Sequence, residues 1–421
     1  MKIAILRNNK RWIIGTLMFL GIVINYMDRV NISHAILQIK TEFHLTSLQQ
    51  GLILSSFSWG YVLFMLLGGY LVDKKGSRIM GALSCFFWSI FTGLGALAGN
   101  FKMLLGSRIL LGMGEAPIFP SNAKVVKQWF PLKERGRATA LFDSGSYIGS
   151  AIAAPFIIYL MVTFGWRYSF AIFSIFGIIW SIVWFYYYRD PENFKGLSNE
   201  ERAILQIQEN QESDIKVKNP IKKLLMNRKI IGISMGFFCY NYLKSFFLTW
   251  FPTYLVMEKG FSLIKVGFIA MIPPLVAILG ELFVGYLTDK MISKNIDVSF
   301  ARKIPLCLGM LVSSVIIFSV FTTNIWTAII LLTISYTALI SASPGIWAIP
   351  GDLSKSKSMV GTIGGIQNTF SNVAGIIAPI ATGFLLDRTG SFVVPIILSG
   401  VIAILGAVSY WFIVGKLEPV I

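Results

Sequence analysis

"GYLVDK" at residues 69 to 74 returns, one residue changed, as "GYLTDK" at 285 to 290. Each copy follows an apolar run and closes the second such run of its half of the chain. Working outward from the two copies, apolar windows of ~20 residues, enough to cross a hydrocarbon core of ~30 Å, recur twelve times. They cover 12–33, 47–71, 80–98, 103–123, 138–164, 169–187, 230–257, 266–287, 304–320, 325–349, 359–385 and 392–414. The 421 residues are 55% hydrophobic and 14% charged, a balance that excludes a soluble globular domain. An all-α membrane protein in two sets of six spans is therefore expected: 1–187, a polar linker at 188–229, and 230–421. A second, fainter echo joins the fifth spans, "AAPFIIYLMVTFG" ending at Gly165 and "IAPIATGFLLDRTG" ending at Gly390. Six-span repeats related by an axis along the membrane normal are how two-domain transporters are built.

The formal charge of +17 does not point to nucleic acid, because the basic residues are scattered through short loops. With the N-terminus inside, cytoplasmic segments hold 28 of the 37 Lys and Arg. Lys40, Lys102, Arg167, Lys259, Lys265 and Arg388 fall outside, and three lie within spans. That asymmetry predicts both termini in the cytoplasm; the inner (plasma) membrane is the location expected of such a multi-pass protein. The first apolar run is too long for a cleaved signal and lacks a small-residue cleavage site. Cys85, Cys239 and Cys307 lie inside spans and suggest neither disulfides nor a metal site. "LSNEERAILQIQEN" in the linker reads as a surface helix with Ser198 as N-cap and Glu201 three residues on.

Arg29, Arg108 and Lys244 are the basic residues within spans, and an unpaired charge there costs about 3 kcal/mol or more. Such residues face polar cavities. In "NYMDRVNIS", residues 25–33, Asp28 stands beside Arg29, about 24 Å along the first span from its cytoplasmic start. Arg108 lies about 8 Å from the outer start of the fourth span, so the two share a depth. In "RILLGMGE", Arg108 and Glu115 are seven residues apart and line one face. Gly112 and Gly114 between them leave room for a neighbouring helix or a substrate. Arginine stays protonated and can clamp a carboxylate with two parallel hydrogen bonds, so it suits an organic anion. A dry carboxyl beside an arginine is suited instead to gaining and losing a proton.

"GGYLVDKKGSR", residues 68–78, resembles the loop motif of the major facilitator superfamily. "NYMDR", "FSWGYVLFMLLGGYLVD", "RILLGMGEAPIFPSNAKVVKQWFPLKERGRA", "FFLTWFPTYL" and "GTIGGIQNTFSNVAGIIAPIATGFLLDRTGSF" are similar to one branch, the anion:cation symporters that include bacterial permeases for galactonate, glucarate and hexuronates. The resemblance implies the major facilitator fold and proton-coupled uptake of a small organic anion, a sugar acid such as an aldonate, aldarate or hexuronate. It gives Asp28 and Glu115 the proton, and Arg29, Arg108 and Tyr61 the substrate or its support. In the loop motif, Gly69 and Gly76 allow close helix approach and a tight turn, while Asp73 and Arg78, with Lys74 and Lys75, supply charge contacts that a rocking motion must break.

Asn25 and Tyr26 offer hydrogen bonds, although an aromatic residue near a span end also serves as an interfacial anchor. In the C-terminal half, Asn241, Gln367, Asn368, Asn372, Ser341 and Ser343 are of the type that binds hydroxyls or joins helices, with Asn372 and Asn241 foremost and Trp347 as a stacking wall. Lys244 and Glu281 depart from the family pattern: either they pair, or Lys244 binds a second carboxylate. His34 and His44, near the outer face, are not expected to relay protons. Sodium coupling, anion exchange and a transporter-like ligand sensor are the competing readings. No nucleophile–base pair, phosphate loop, metal cluster or cofactor motif appears, so a non-enzymatic protein working as a monomer is expected.

Overall fold

The computed structural model describes residues 10–194, 197, 224–354 and 357–420. The linker helix expected around Ser198 lies outside them. In the first half, helix α1 runs Lys10–Phe43, α2 Ser47–Ala96, α3 Phe101–Glu115, α4 Ile118–Trp129, α5 Leu132–Phe164 and α6 Trp166–Tyr187. In the second, α7 is Arg228–Thr249, α8 Phe251–Met257, α9 Leu263–Ile269, α10 Ile272–Ser293, α11 Val298–Ser313, α12 Ile325–Ser341, α13 Ser343–Asp352, α14 Lys357–Thr389 and α15 Val393–Val408. Nine stretches of the described helices are each long and apolar enough to cross a membrane.

Helices lie under all twelve apolar windows, but their ends differ from those of the windows. α1 continues to Phe43, well past the expected end at 33, because residues 34–43 keep an unbroken helical ladder with His34, Ile36 and Ile39 buried. The second and third spans form one element, α2, bent at Gly76, whose φ of 81° and ψ of 158° a side chain would oppose. The fourth span is broken after Glu115. Pro117 lacks an N–H, yet Ala116 N still donates to Gly112 O at 3.2 Å and Ser121 N to Pro117 O at 3.0 Å, so α4 continues α3. Gly165 and Gly390, the ends of the fainter echo, both take positive φ, 92° and 69°. The second copy of the main echo has no glycine matching Gly76, and α10 runs through it to Ser293.

Contacts divide the chain into two compact units, one from Met1–Ile39 and Ser56–Ser213, the other from Lys40–Ser55 and Asp214–Ile421. In the first, an aromatic ladder on α6 fixes the frame: Trp180 stacks on Trp184 at 5.1 Å, and Trp184 on Tyr188 at 4.5 Å. Their four-residue spacing puts the rings on one face. Both indoles donate to backbone carbonyls, Trp180 to Leu17 O at 3.0 Å and Trp184 to Ser77 O at 3.2 Å. The loop motif is tied into the same unit. Lys124 of α4 donates to Val72 O and Asp73 O at 3.1 and 3.2 Å, and Arg78 donates to Phe185 O at 3.1 Å with its guanidinium over the Phe185 ring. At Gly69 an added side chain would meet nothing within 4 Å; the close approach falls instead at Gly68, against Pro117.

In the second unit, residues 47–51 pack against α14. A methyl group on Gly51 would sit 2.4 Å from Pro379 O, and one on Gly383 2.3 Å from Ser47 O. The Asp387 carboxylate accepts from Ser47 N at 2.8 Å and Leu48 N at 2.7 Å, capping the start of α2.

Candidate functional site

The first unit brings Asp28, Arg29, Arg108 and Glu115 together. α3 meets α2 through paired glycines: a side chain on Gly112 would lie 2.0 Å from Phe57 O, and one on Gly60 1.9 Å from Ile109 O. Of the two uses the sequence left open for Gly112, the structure shows the neighbouring helix. Gly114 makes the same approach to Trp88 N, at 2.9 Å. Arg108 and Glu115, 3% and 0% exposed, are thereby held against α1.

Arg29 forms a hydrogen-bonded ion pair with Glu115, Nε and Nη2 both addressing Oε1. Its guanidinium carbon lies 4.6 Å from the ring centre of Phe57, 4.9 Å from Tyr26, 5.2 Å from Tyr61 and 6.0 Å from Phe119. Cation–π attraction strengthens as the charge is removed from water, and this side chain has four rings around it and is 20% exposed. Tyr26 is thus part of the cage around Arg29. Arg108 approaches the backbone of Asp28, with Nη1 3.5 Å from its carbonyl, and shares Phe57 at 5.8 Å. Both carboxylate oxygens of Asp28 are buried without a hydrogen-bond partner, as is Oε2 of Glu115. Trp88 and Thr92 stand close enough to act on Asp28 without closing a bond.

Two members of the cage were missed in the sequence. Phe57 lies four residues before Tyr61 and Phe119 four after Glu115, so helical spacing from residues already chosen would have found both.

The second unit holds the remaining candidates. Asn241 donates to Ser371 O at 2.7 Å, joining α7 to α14. Asn372 donates to Asn368 O at 2.8 Å and to Asn368 Oδ1 at 3.2 Å. Gln367, 1% exposed, donates to Ile346 O at 3.2 Å and leaves Oε1 unpartnered. Trp347 is 55% exposed with its ring edge-on to Phe237 at 5.3 Å. The Lys244 ammonium lies 5.9 Å from the Tyr240 ring centre.

Residues 18–379 match the model of the Major Facilitator Superfamily, and the chain belongs to this family. It has the family's twelve-helix fold, and it is a transporter and not an enzyme. Among curated relatives it is 34% identical to a probable galactarate/D-glucarate transporter of Escherichia coli strain K12, over 97% of this chain and 95% of that one. It is 35% identical to a hexuronate transporter of Bacillus subtilis strain 168, over 93% and 92%. Among solved structures, a D-xylose-proton symporter superposes with a TM-score of 0.76 at 16% identity, covering 96% of this chain and 98% of that one.

Proposed function

We propose that the protein is a proton-coupled symporter that takes up a sugar acid across the plasma membrane by alternating access, with both termini in the cytoplasm. The observation that carries this reading is the Arg29–Glu115 pair inside its aromatic cage. Arg29 cannot give its two-pronged face to a substrate carboxylate while Glu115 is ionised and holding it. Protonating Glu115 removes the competing charge and releases the guanidinium. Proton and anion therefore promote each other's binding, and the linkage is reciprocal. Arg108, which among the described residues no carboxylate hydrogen-bonds, supplies a standing positive charge, and Asp28 beside it is a second proton carrier. The sugar-acid relatives support a polyhydroxylated carboxylate as substrate. Asn241, Asn372, Lys244 and Trp347 are proposed contacts for the rest of it. Gly69, Asp73, Gly76 and Arg78 are proposed as the conformational gate, where bending and charge contacts would change between states.

The test is the affinity of the purified protein for galactarate at about pH 6 and pH 8. Binding should tighten at the lower pH in the wild type, and the dependence should largely vanish in Glu115→Gln, whose amide imitates a permanently protonated acid. An affinity independent of pH in the wild type would remove the exchange of partners at Arg29.

A further inference from the structure

Beyond Asp28, a line of polar side chains, two buried and one half-buried, continues along α1 that the ion pairs do not use. Asn31 is 0% and His34 5% exposed, each three residues beyond the one before, and Gln38 follows one turn later. Residues spaced this way rise ~4.5 Å per step and sit as neighbours on the helix surface, about 5–6 Å apart. Each step is one water wide.

The hydrogen bonding of Asn31 and of His34 leaves a free end at each. The Asn31 amide is anchored by Ser169 at 2.8 Å, and whichever way the amide is turned, one of its ends has no protein partner. His34 Nδ1 lies 2.9 Å from Val30 O, which can only accept, so Nδ1 carries the hydrogen and Nε2 is the bare acceptor. Nε2 is buried and unpartnered. Among the described residues no charged side chain bears on the imidazole; Ser33 Oγ, 3.4 Å from Nδ1, is its polar neighbour. Gln38 carries the line to the end of α5, where its amide donates to Met161 O at 3.5 Å. A buried polar atom left unsatisfied costs about 1–3 kcal/mol, and sites of this kind are commonly filled by ordered water.

We infer that Gln38, His34 and Asn31 form a hydrated path that delivers the proton from the outer face to Asp28, with His34 as its relay. The inference rests on the proton-coupled reading above. In the step it assigns, a hydronium at the outer end gives its proton to Nε2 and becomes water while Nδ1–H stays on Val30 O, so that His34 is briefly an imidazolium. The Nε2–H bond then breaks toward a water at Asn31, and that water passes a proton to an Asp28 oxygen. His34 returns to its starting tautomer and no charge is left behind.

The experiment uses the full-length protein in liposomes carrying an internal pH dye. It compares proton entry driven by an inward galactarate gradient with exchange of labelled for unlabelled galactarate at equal pH, which needs no net proton movement. In His34→Gln and Asn31→Leu, proton entry should slow about tenfold or more while exchange persists. His34→Gln keeps the size and hydrogen bonding of the imidazole but cannot relay, so wild-type proton entry in it would overturn the relay. Exchange in the same vesicles reports that each variant is folded. If the wild type itself moves no protons with galactarate, the coupled reading fails; if it does and both variants match it, the path alone fails.

Discussion

Arg29 gives two nitrogens to one oxygen of Glu115, and the other oxygen of that carboxylate is buried without a partner. Such a pair is unfinished on both sides: Nε closes the hydrogen bond, while Arg29 Nη2 and Glu115 Oε2 are each buried without one. Removing one member of a buried pair strands the other. Glu115→Ala should therefore lower the melting temperature more than Glu115→Gln, which keeps an acceptor for Arg29. Equal losses in the two variants would show that the hydrogen bond contributes little to the fold.

The close approach of α2 and α3 is a backbone contact and cannot yield. With Phe57 O only 2.0 Å from where a Gly112 side chain would begin, Gly112→Ala should push the helices apart and cost about 1–3 kcal/mol. Because Phe57 and Tyr61 cage Arg29, the same change should weaken galactarate binding. Gly69→Ala, with open space around it, should leave stability close to wild type. Thermal melts of the two variants, side by side, check the contrast.

Asp387 holds two amides at the start of α2. Losing a capping acceptor of this kind costs about 0.5–2 kcal/mol. Asp387→Ala should lower the melting temperature by that equivalent, and Asp387→Asn, with one acceptor left, by less. An unchanged Asp387→Ala melt would show that water replaces the carboxylate without loss.

Much of this was legible in the sequence because a membrane imposes simple rules. Apolar length gave the crossings, and the cost of intramembrane charge singled out Asp28, Arg29, Arg108 and Glu115, which the structure brings together. Helix ends were harder to read, since residues 34–43 of α1 are too polar for an apolar window yet stay helical inside the protein. Partner choice was hidden for a different reason. That Arg29 and not Arg108 takes Glu115 depends on rotation about the helix axes, which spacing along one helix cannot fix. His34 was set aside by its distance from a span centre, but the unit buries it all the same.

Lys244 offers a handle on substrate choice. If it binds a second carboxylate, Lys244→Met should weaken galactarate, with two carboxylates, far more than galactonate, with one. If it pairs with Glu281, Lys244→Met and Glu281→Met should each lower the melting temperature and the double variant recover it. Affinity for the two anions, measured alongside the four-variant melts, separates the roles: equal affinity losses sink the first, additive stability losses the second.

The central claim is that a proton gradient drives a sugar acid through this protein, and uptake into liposomes of purified protein tests it most directly. With the lumen made alkaline, labelled galactarate, galactonate or a hexuronate should accumulate above its external concentration, collapse when a protonophore is added, and ignore a sodium gradient. Accumulation that follows sodium, or requires a counter-anion inside and ignores the pH gradient, would contradict the account.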